Sequence, residues 1–343
     1  MHVAGTRRVS PPGTGPADRE YASLTTEEQV ELLRDVALDG ARAFGLEPVR
    51  IRLARHAFNT TFRVDAASGD RVAVRVNTNS LSTPAHVLAQ HAWMLALAEE
   101  ADLRPPVPLR TESGAEVALV HAHGQEHLVV AASWLEGDEV GECDAVQAAA
   151  LGRAMATMHA HARTWSMPEG GDLSAFTDPL FGDEDRLLDA YADRREDRAL
   201  VEWALERCQA AMTAAGRSAA AMVIHGDLHG ANLLWHEGEL ALLDFDDCGI
   251  GVPALDLAIA TFYLRGGDPR VEEALREGYS EVAEPPVEEH DVGFEALVAA
   301  RQLLLANDLL QSRTAELKQM ALPYLERTVD RLHRWRWSGR FTL

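Results

Sequence analysis

The sequence predicts an α+β fold of two lobes, in which a small antiparallel β-sheet with one inserted helix precedes a mainly helical lobe. Between residues 45 and 134, short β-branched runs alternate with turns that contain Gly or Pro, and one helical segment interrupts them. Beyond residue 135, apolar residues recur at the three- and four-residue spacing of helices. The two patterns meet at Leu135-Glu136-Gly137-Asp138, where we expect the linker between the lobes.

The chain divides into three predicted parts. Residues 1–20 are rich in Pro and Gly and poor in apolar groups, so we expect a disordered arm there. The N-lobe should span 21–134 and the C-lobe 135–343. Thr25 or Thr26 is suited to cap a first helix that runs to about Phe44, and Gly45 ends it.

Turn residues delimit the predicted strands of the N-lobe, which cover 49–54, 60–65, 71–77, 117–121 and 128–134. The segment Ala67-Ser68-Gly69-Asp70 is a hairpin turn signal between the second and third strands. Thr83-Pro84 begins a helix that runs to about Ala98. The N-lobe is therefore predicted to contain five strands, with this helix after the third.

Helical periodicity dominates the C-lobe. One apolar stripe contains Leu151 and Met155, and another contains Val201 and Leu205. Two short strands joined by a Glu237-Gly238 turn interrupt the helices around residues 222–247. Further helices are predicted at 253–264, about 269–282, 292–311 and 314–337.

Composition limits the possible functions. The 343 residues carry a net charge of −22, with 32 Lys and Arg against 54 Asp and Glu, which argues against nucleic acid as a general partner. No apolar run reaches the roughly 18 residues of a membrane helix. The first residues lack the apolar core of a secretory signal, so we expect a cytoplasmic protein with no membrane partner. Three widely spaced cysteines without a Cys-x-x-Cys pair predict free thiols.

The negative charge is concentrated in the C-lobe, where residues 135–343 carry 38 acidic against 19 basic groups. A solvated, solubilising surface would explain this excess. An acidic cleft that attracts a cationic small-molecule substrate would explain it as well. Both interpretations stay open at this point.

A polar loop between the two short strands is the strongest functional signal. His225, Asp227 and Asn232 follow one apolar strand, and Asp244 follows the next. Carboxylate and amide oxygens are hard ligands that suit Mg²⁺. Phosphoryl transfer uses such a metal site together with a carboxylate that accepts the proton of the attacking hydroxyl.

Two other interpretations of this loop compete with phosphoryl transfer. His225, Asp227 and His229 form a His-x-Asp-x-His string, which could belong to a zinc hydrolase. Further zinc ligands could come from His121, His123, His159 and His161. Alternatively, the polar residues could only cap buried strands, although two acids, an amide and a histidine are many polar groups for packing alone.

The motifs of this region resemble a known family. Ile224-His-Gly-Asp-Leu-His-Gly-Ala-Asn232, Leu243-Asp-Phe-Asp-Asp247 and Pro253-Ala-Leu-Asp-Leu-Ala258 are similar to those of the aminoglycoside phosphotransferase family. This family includes homoserine-kinase-like and choline-kinase-like small-molecule kinases and shares the protein-kinase fold. The resemblance covers about residues 45–340 and implies an ATP- and Mg²⁺-dependent kinase. Its acceptor would be a hydroxyl group of an amino alcohol, an amino acid or an aminoglycoside.

The resemblance assigns roles to the residues of the polar loop. It implies that Asp227 is the catalytic base and that Asn232 and Asp244 bind Mg²⁺. Asp246 stands where protein kinases have glycine in their Asp-Phe-Gly motif.

Three further residues are implied to support the loop rather than to react. His225 would hold it by hydrogen bonds, and Asp256 would cap its backbone amides. His229 would support its conformation, with contact to substrate or phosphate as the alternative.

The nucleotide half of the site departs from the pattern of protein kinases. Arg75 stands where they carry a lysine, and the only lysine of this chain, Lys318, lies near the other end. Gln90 stands where relatives carry a glutamate that anchors the cation. The amide oxygen of Gln90 can accept a hydrogen bond from Arg75 but cannot neutralise its charge, so Arg75 would stay free for phosphate.

The first hairpin would cover the phosphates, with Asn59, Thr60 and Thr61 as candidate donors, although no glycine lies between Ala54 and Val64. These departures motivate a second hypothesis, a nucleotide-binding pseudokinase scaffold.

The adenine and acceptor sites are expected on opposite sides of this centre. The resemblance implies that the backbone of Ser133, Trp134 and Leu135 reads the adenine edge, although Trp134 could also belong to the core. Acidic residues of the C-lobe would suit a cationic acceptor near Asp227. These are Asp178, Asp183, Glu184, Asp185 and Asp308.

Overall fold

A computed structural model describes residues 21–80, 82–288 and 291–343. The predicted arm over residues 1–20 lies outside the described residues. The remaining chain forms a five-stranded sheet followed by a mainly helical part, which confirms the predicted α+β fold. Within the described residues, no helix combines the length and the apolar character needed to cross a membrane.

The N-terminal sheet is antiparallel throughout, with the strand order β1-β2-β3-β5-β4. Its strands are β1 (Pro48–His56), β2 (Thr60–Ala66), β3 (Arg71–Val76), β4 (Ala118–Ala122) and β5 (Gln125–Ser133). Helix α1 (Thr26–Ala43) precedes the sheet, and helix α2 (Pro84–Glu100) follows β3, as predicted. Thr25 caps α1 with a capping box that includes Glu28.

Strand alternation gives the sheet two different faces. On one face, side chains such as Phe62, Val64 and Val74 pack with α1 in a core of their own. Helix α1 lies so close that a Cβ on Gly40 would come within 2.6 Å of Val129. On the opposite face lies Arg75, whose partner in the β2–β3 register is Thr61. The polar face of the sheet is therefore the face available to a ligand.

The C-terminal part is built from helices around a larger core. The helices are α3 (Ala145–Ala162), α4 (Leu187–Ala190), α5 (Arg195–Ser218), α6 (Pro253–Leu264), α7 (Pro269–Ser280), α8 (Val292–Gln311) and α9 (Ala315–Ser338). Five short strands interrupt them: β6 (Asp138–Glu139), β7 (Met222–Ile224), β8 (Leu233–His236), β9 (Glu239–Leu242) and β10 (Gly249–Gly251). They form the small sheets β6-β8-β9 and β10-β7.

Helix α6 lies at the centre of this part, and its residues from Pro253 to Phe262 are all buried. Helices α3 and α7 also approach each other closely. A Cβ on Gly152 would come within 2.0 Å of the Leu275 carbonyl oxygen, and one on Gly278 within 2.0 Å of the Ala149 carbonyl oxygen. Close packing around α6 gives a rigid base for the loops that carry the site. The predicted lobe boundary at 134/135, next to the end of β5, stays a prediction.

Candidate active site

The polar loop identified in the sequence, residues 225–232, lies between β7 and β8 and is here called the catalytic loop. A short 3₁₀ turn, Gly230–Asn232, ends it. The Asn232 Nδ2 atom donates to the Asp227 carboxylate at 2.8 Å and to the Asp227 main-chain oxygen at 3.0 Å. The Leu243 amide donates to the Asn232 carbonyl oxygen at 2.8 Å, which joins this loop to the start of the Asp244 segment. The hairpin β8–β9 thus brings Asp227, Asn232 and Asp244 together.

Asp256 on α6 fixes the backbone of the catalytic loop. Its carboxylate accepts hydrogen bonds from the amides of His225 at 3.0 Å and Gly226 at 2.7 Å. His159 Nε2 lies 3.1 Å from the same carboxylate, and Tyr279 Oη lies 2.9 Å from His159 Nδ1. Burial alone would raise the pKa of Asp256, but the hydrogen bonds and the nearby histidines lower it. These contacts agree with the capping role assigned to Asp256.

His225 is fully buried and also holds the loop. Its Nε2 donates to the Leu243 carbonyl oxygen at 3.0 Å, and its Nδ1 accepts from the Asp227 amide at 3.3 Å. Both ring nitrogens are therefore used within the loop. Burial lowers the pKa of His225, which favours this neutral state.

The proposed zinc site is not assembled. Because His225 has no free nitrogen, it cannot act as a ligand beside Asp227 and His229. His229 accepts a hydrogen bond from the Ala231 amide at 3.3 Å and stacks on Tyr263, with ring centroids 4.3 Å apart. No group of three or more His, Cys, Asp and Glu side chains in the described part of the chain is arranged to hold a metal ion. The zinc interpretation is therefore wrong, and His229 supports the loop as expected.

Arg301 is a residue of this site that the sequence interpretation missed. It lies on α8, is 5% exposed and forms an ion pair with the Asp227 carboxylate. The Tyr263 hydroxyl accepts from its Nε at 3.1 Å and its Nη2 at 2.9 Å. Burial would raise the pKa of Asp227, but Arg301 and then His229 outweigh it and hold that pKa well below its ordinary value. The sequence signal that could have identified Arg301 is an arginine within a largely apolar helical segment. Such a residue is expected to be buried, and a buried charge needs a partner of opposite charge.

Arg75 meets the catalytic region from β3, but its partner differs from the expectation. Its guanidinium forms an ion pair with Asp246, and Nη1 lies 3.7 Å from Asp244. Gln90 Nε2 donates to the Asp246 carboxylate at 3.4 Å, and no hydrogen bond joins it to Arg75 within the described residues. The expectation that Gln90 contacts Arg75 is therefore wrong, as is the expectation that Arg75 lacks a counter-charge. Burial lowers the pKa of Arg75 to about 10.

The three candidate residues of the phosphate cover differ in position. Asn59 Nδ2 donates to Asp246 at 2.6 Å, and its Oδ1 accepts from the Thr78 amide at 3.0 Å. Thr60 is fully buried and its hydroxyl bonds to His56, so the expected phosphate contact from its side chain is wrong. Strand alternation explains this, because Thr60 lies on the core face with Phe62. Thr61 lies on the other face opposite Arg75 and remains a candidate.

Two of the three candidate backbone amides at the end of β5 already have hydrogen-bond partners. The Ser133 amide donates a hydrogen bond to the Val107 carbonyl oxygen at 2.8 Å, and the Trp134 amide donates one to the Arg71 carbonyl oxygen at 3.0 Å. These two amides are therefore not open to an adenine edge, which leaves the Leu135 amide as the candidate donor of this segment. Trp134 is partly exposed, and the Arg63 guanidinium lies 5.4 Å from its ring centroid. It therefore does not belong to the buried core.

The acidic residues expected around the acceptor have mainly local contacts. The Asp178 carboxylate accepts from the amides of Leu180 and Gly182, and Asp185 accepts from the amides that begin α4. Glu184 pairs with Arg186. These contacts stabilise the 178–187 segment, and the charged partner found for Asp227 is instead Arg301.

The donor set suits Mg²⁺ chemically. Asp244 adopts a left-handed backbone conformation (φ 59°), and its carboxylate is 38% exposed towards the space beside Arg75. Because Asp246 balances the charge of Arg75, Asp244 is not required for that purpose. Asn232 Oδ1 is the second hard oxygen, and it accepts a hydrogen bond from Arg55 at 3.0 Å. Asp244 and Asn232 would therefore hold the ion.

The fold and this geometry can be compared with known proteins. The sequence model of the phosphotransferase enzyme family, the family of the aminoglycoside phosphotransferases, matches residues 50–290. The chain belongs to this family. A relative from Deinococcus radiodurans, described as an uncharacterized protein, is 32% identical over 233 residues. That match spans 66% of each chain.

Solved structures of small-molecule kinases and phosphotransferases share the fold. A microcompartment-associated aminopropanol kinase is 25% identical, with a TM-score of 0.72 over 88% of this chain and 97% of its own. An amicoumacin kinase in complex with AMP-PNP, Ca²⁺ and Ami is 15% identical, with a TM-score of 0.63 over 89% of this chain and 94% of its own. A spectinomycin phosphotransferase in complex with ADP and spectinomycin is 12% identical, with a TM-score of 0.54 over 89% and 94%. The predicted protein-kinase-like fold and the assignment as a small-molecule kinase are confirmed.

Proposed function

We propose that this phosphotransferase transfers the γ-phosphoryl group of ATP, with Mg²⁺, to a hydroxyl group of a small molecule that carries an amino group. The observation that carries the proposal is the contact between Asn232 and Asp227, at 2.8 Å, in a loop joined to Asp244. A base candidate and two hard oxygen donors then lie within one hairpin. Arg75 approaches the same point from the N-terminal sheet.

Asp227 is the group that acts on the acceptor. Its carboxylate accepts the hydroxyl proton while the acceptor oxygen forms a bond to the γ-phosphorus and the bond to the bridging oxygen of ADP breaks. Arg301 keeps this carboxylate ionised and fixes one of its oxygens, while Asn232 fixes the other. Because the transition state of phosphoryl transfer is loose, orientation of the hydroxyl matters more than strong basicity.

Arg75 and the two oxygen donors act on the nucleotide. Arg75 has further N–H groups besides the one that contacts Asp246, so it can also hold phosphate oxygens. Mg²⁺ held by Asp244 and Asn232 would neutralise charge on the phosphate oxygens. Two solved structures with the same fold contain AMP-PNP or ADP, which supports a nucleotide as the phosphoryl donor.

An amino group on the acceptor is supported by charge and by similarity. The protein carries a net charge of −22, which favours the approach of a cation. The aminopropanol kinase, at 25% identity, is named for a small amino alcohol. We therefore place amino alcohols first among the acceptors to be tested.

A screen of amino alcohols, hydroxy amino acids and aminoglycosides with ATP and Mg²⁺ tests this function. We expect ADP formation that depends on one acceptor class, together with a mass gain of that acceptor by one phosphoryl group. Asp227→Asn and Asp244→Asn should each abolish turnover, whereas Asp330→Asn, a change on the exposed face of α9, should not. Nucleotide binding without transfer to any acceptor would instead favour the pseudokinase hypothesis.

A further inference from the structure

The second aspartate of the Asp244-Phe-Asp246 segment lies at a junction of the two lobes. Its carboxylate is buried and receives three side chains from different elements of the N-terminal part. These are Arg75 from β3, Asn59 from the β1–β2 hairpin and Gln90 from α2. The main-chain oxygen of Asp246 also accepts from His86 Nε2 at 3.0 Å.

Charge explains why this carboxylate is needed. A buried guanidinium requires a counter-charge close by. Helix α2, which lies next to Arg75, has only two acidic residues, Glu99 and Glu100, and both are exposed at its far end. Glu100 pairs there with His161 at 3.2 Å. The helix therefore offers Arg75 the neutral Gln90 and no carboxylate.

Unpaired polar atoms beside this junction point to a ligand. Arg75 Nε and Nη2 and Gln90 Oε1 are buried and have no hydrogen-bond partner among the residues that the structure describes. Arg75 thus contacts Asp246 through Nη1 and keeps its other N–H groups. A planar guanidinium can be held on one edge by a carboxylate while another edge binds a phosphate oxygen.

We propose that Asp246 is the anchor carboxylate of Arg75, in place of a glutamate on α2, and so positions this cation for the nucleotide phosphates. The proposal rests on the proposed kinase function and adds a positioning residue to it. Since Asp246 is two residues from Asp244, one short segment then aligns both the cation and the metal ligand. The neutral Gln90 on α2 therefore does not mean that Arg75 lacks an anchor, because Asp246 supplies the carboxylate instead.

Relocating the charge tests the proposal directly. Nucleotide affinity is measured for ATP and ADP by calorimetry, with Mg²⁺ and with EDTA, so no acceptor is needed. Asp246→Asn should weaken binding by about ten-fold or more under both conditions, because an unanchored Arg75 loses its orientation. Adding Gln90→Glu to Asp246→Asn should recover most of this loss. The control Glu99→Gln, at the exposed end of α2, should bind like the wild type.

Three results overturn the proposal. One is unchanged affinity in Asp246→Asn, the second is no recovery in the double variant, and the third is a loss seen only with Mg²⁺, which would make Asp246 a metal ligand.

A stability cycle separates this proposal from the kinase function. If Asp246 pairs with Arg75, then Asp246→Asn and Arg75→Gln should be non-additive in thermal unfolding without nucleotide, and the double variant should be no less stable than either single one. Additive losses would overturn the pairing. If the wild type binds no nucleotide, the kinase function fails, while this cycle still decides whether Asp246 anchors Arg75.

Discussion

Arg301 and Asp227 form a buried ion pair that joins helix α8 to the catalytic loop. The two residues are 74 positions apart in the sequence. Tyr263 on α6 completes the arrangement by accepting from the Arg301 guanidinium at 2.9 Å. Residues of helices α8 and α6 therefore stabilise the ionised carboxylate of Asp227, in addition to the contacts within the catalytic loop.

Replacing Arg301 should damage both stability and turnover. Arg301→Gln leaves Asp227 partly buried without its main counter-charge, so the free energy of unfolding should fall by about 3 kcal/mol or more. Turnover should fall strongly because the carboxylate loses its orientation. Arg301→Lys keeps the charge without the planar fork and should recover part of the stability. Chemical denaturation measures the first effect, and equal stability of the wild type and Arg301→Gln would contradict this account.

Asp256 should be a structural residue whose loss disables the catalytic loop. Asp256→Ala removes the acceptor of two buried backbone amides and of His159, so we expect a destabilisation of about 3–5 kcal/mol. Asp256→Asn retains an acceptor oxygen and should lose less. Urea denaturation gives the difference between the variants. An Asp256→Ala protein as stable as the wild type would show that the loop is held by other contacts.

His127 should make stability fall at mildly acidic pH. Burial lowers its pKa in the folded protein to about 4. Below the ordinary value of about 6.5, the unfolded chain takes up a proton that the folded protein does not bind, so stability falls between about pH 6.5 and pH 4.

The variant His127→Asn lacks this group, so its free energy of unfolding should depend less on pH in that window. The exposed His121 gives the control His121→Asn. Parallel pH profiles for the wild type and His127→Asn would refute the assignment.

Two glycines in helices should respond to alanine in opposite ways. Gly278→Ala places a methyl group against the Ala149 carbonyl oxygen of α3, at 2.0 Å before relaxation, and should destabilise by about 2 kcal/mol or more. Gly216 on α5 has open space at the same position, so Gly216→Ala should stabilise by about 0.5–1 kcal/mol. Thermal melts of the two variants measure the contrast. Equal effects would mean that α3 and α7 are less tightly packed than the structure has them.

Most of the fold could be predicted because its signals are local. The capping box at Thr25 and the Pro84 start each define a helix boundary within a few residues. The residues of the catalytic loop could also be predicted, since His225, Asp227, Asn232 and Asp244 lie close together in the sequence on the two sides of the β8–β9 hairpin. Strand alternation, applied to β2, would also have placed Thr60 with the core.

The choice of partners between distant elements could not be predicted in the same way. The pairs Arg301–Asp227 and Arg75–Asp246 depend on how α8 and β3 meet the central hairpin, and spacing along the chain carries no information on that. The acidic 178–185 segment shows the same limit. Its composition is typical of a cation site, yet the carboxylates of Asp178 and Asp185 accept hydrogen bonds from nearby backbone amides.

Transfer of a phosphoryl group by the wild type and by Asp227→Asn is the measurement that tests the central claim. Each protein is incubated with ATP and an amino alcohol, in Mg²⁺ or in EDTA, and the acceptor mass is followed by mass spectrometry. We predict that the wild type adds one phosphoryl group per acceptor only with Mg²⁺, and that Asp227→Asn adds none while still binding ATP. Phosphorylation by Asp227→Asn at the wild-type rate, or by the wild type in EDTA, would contradict the account.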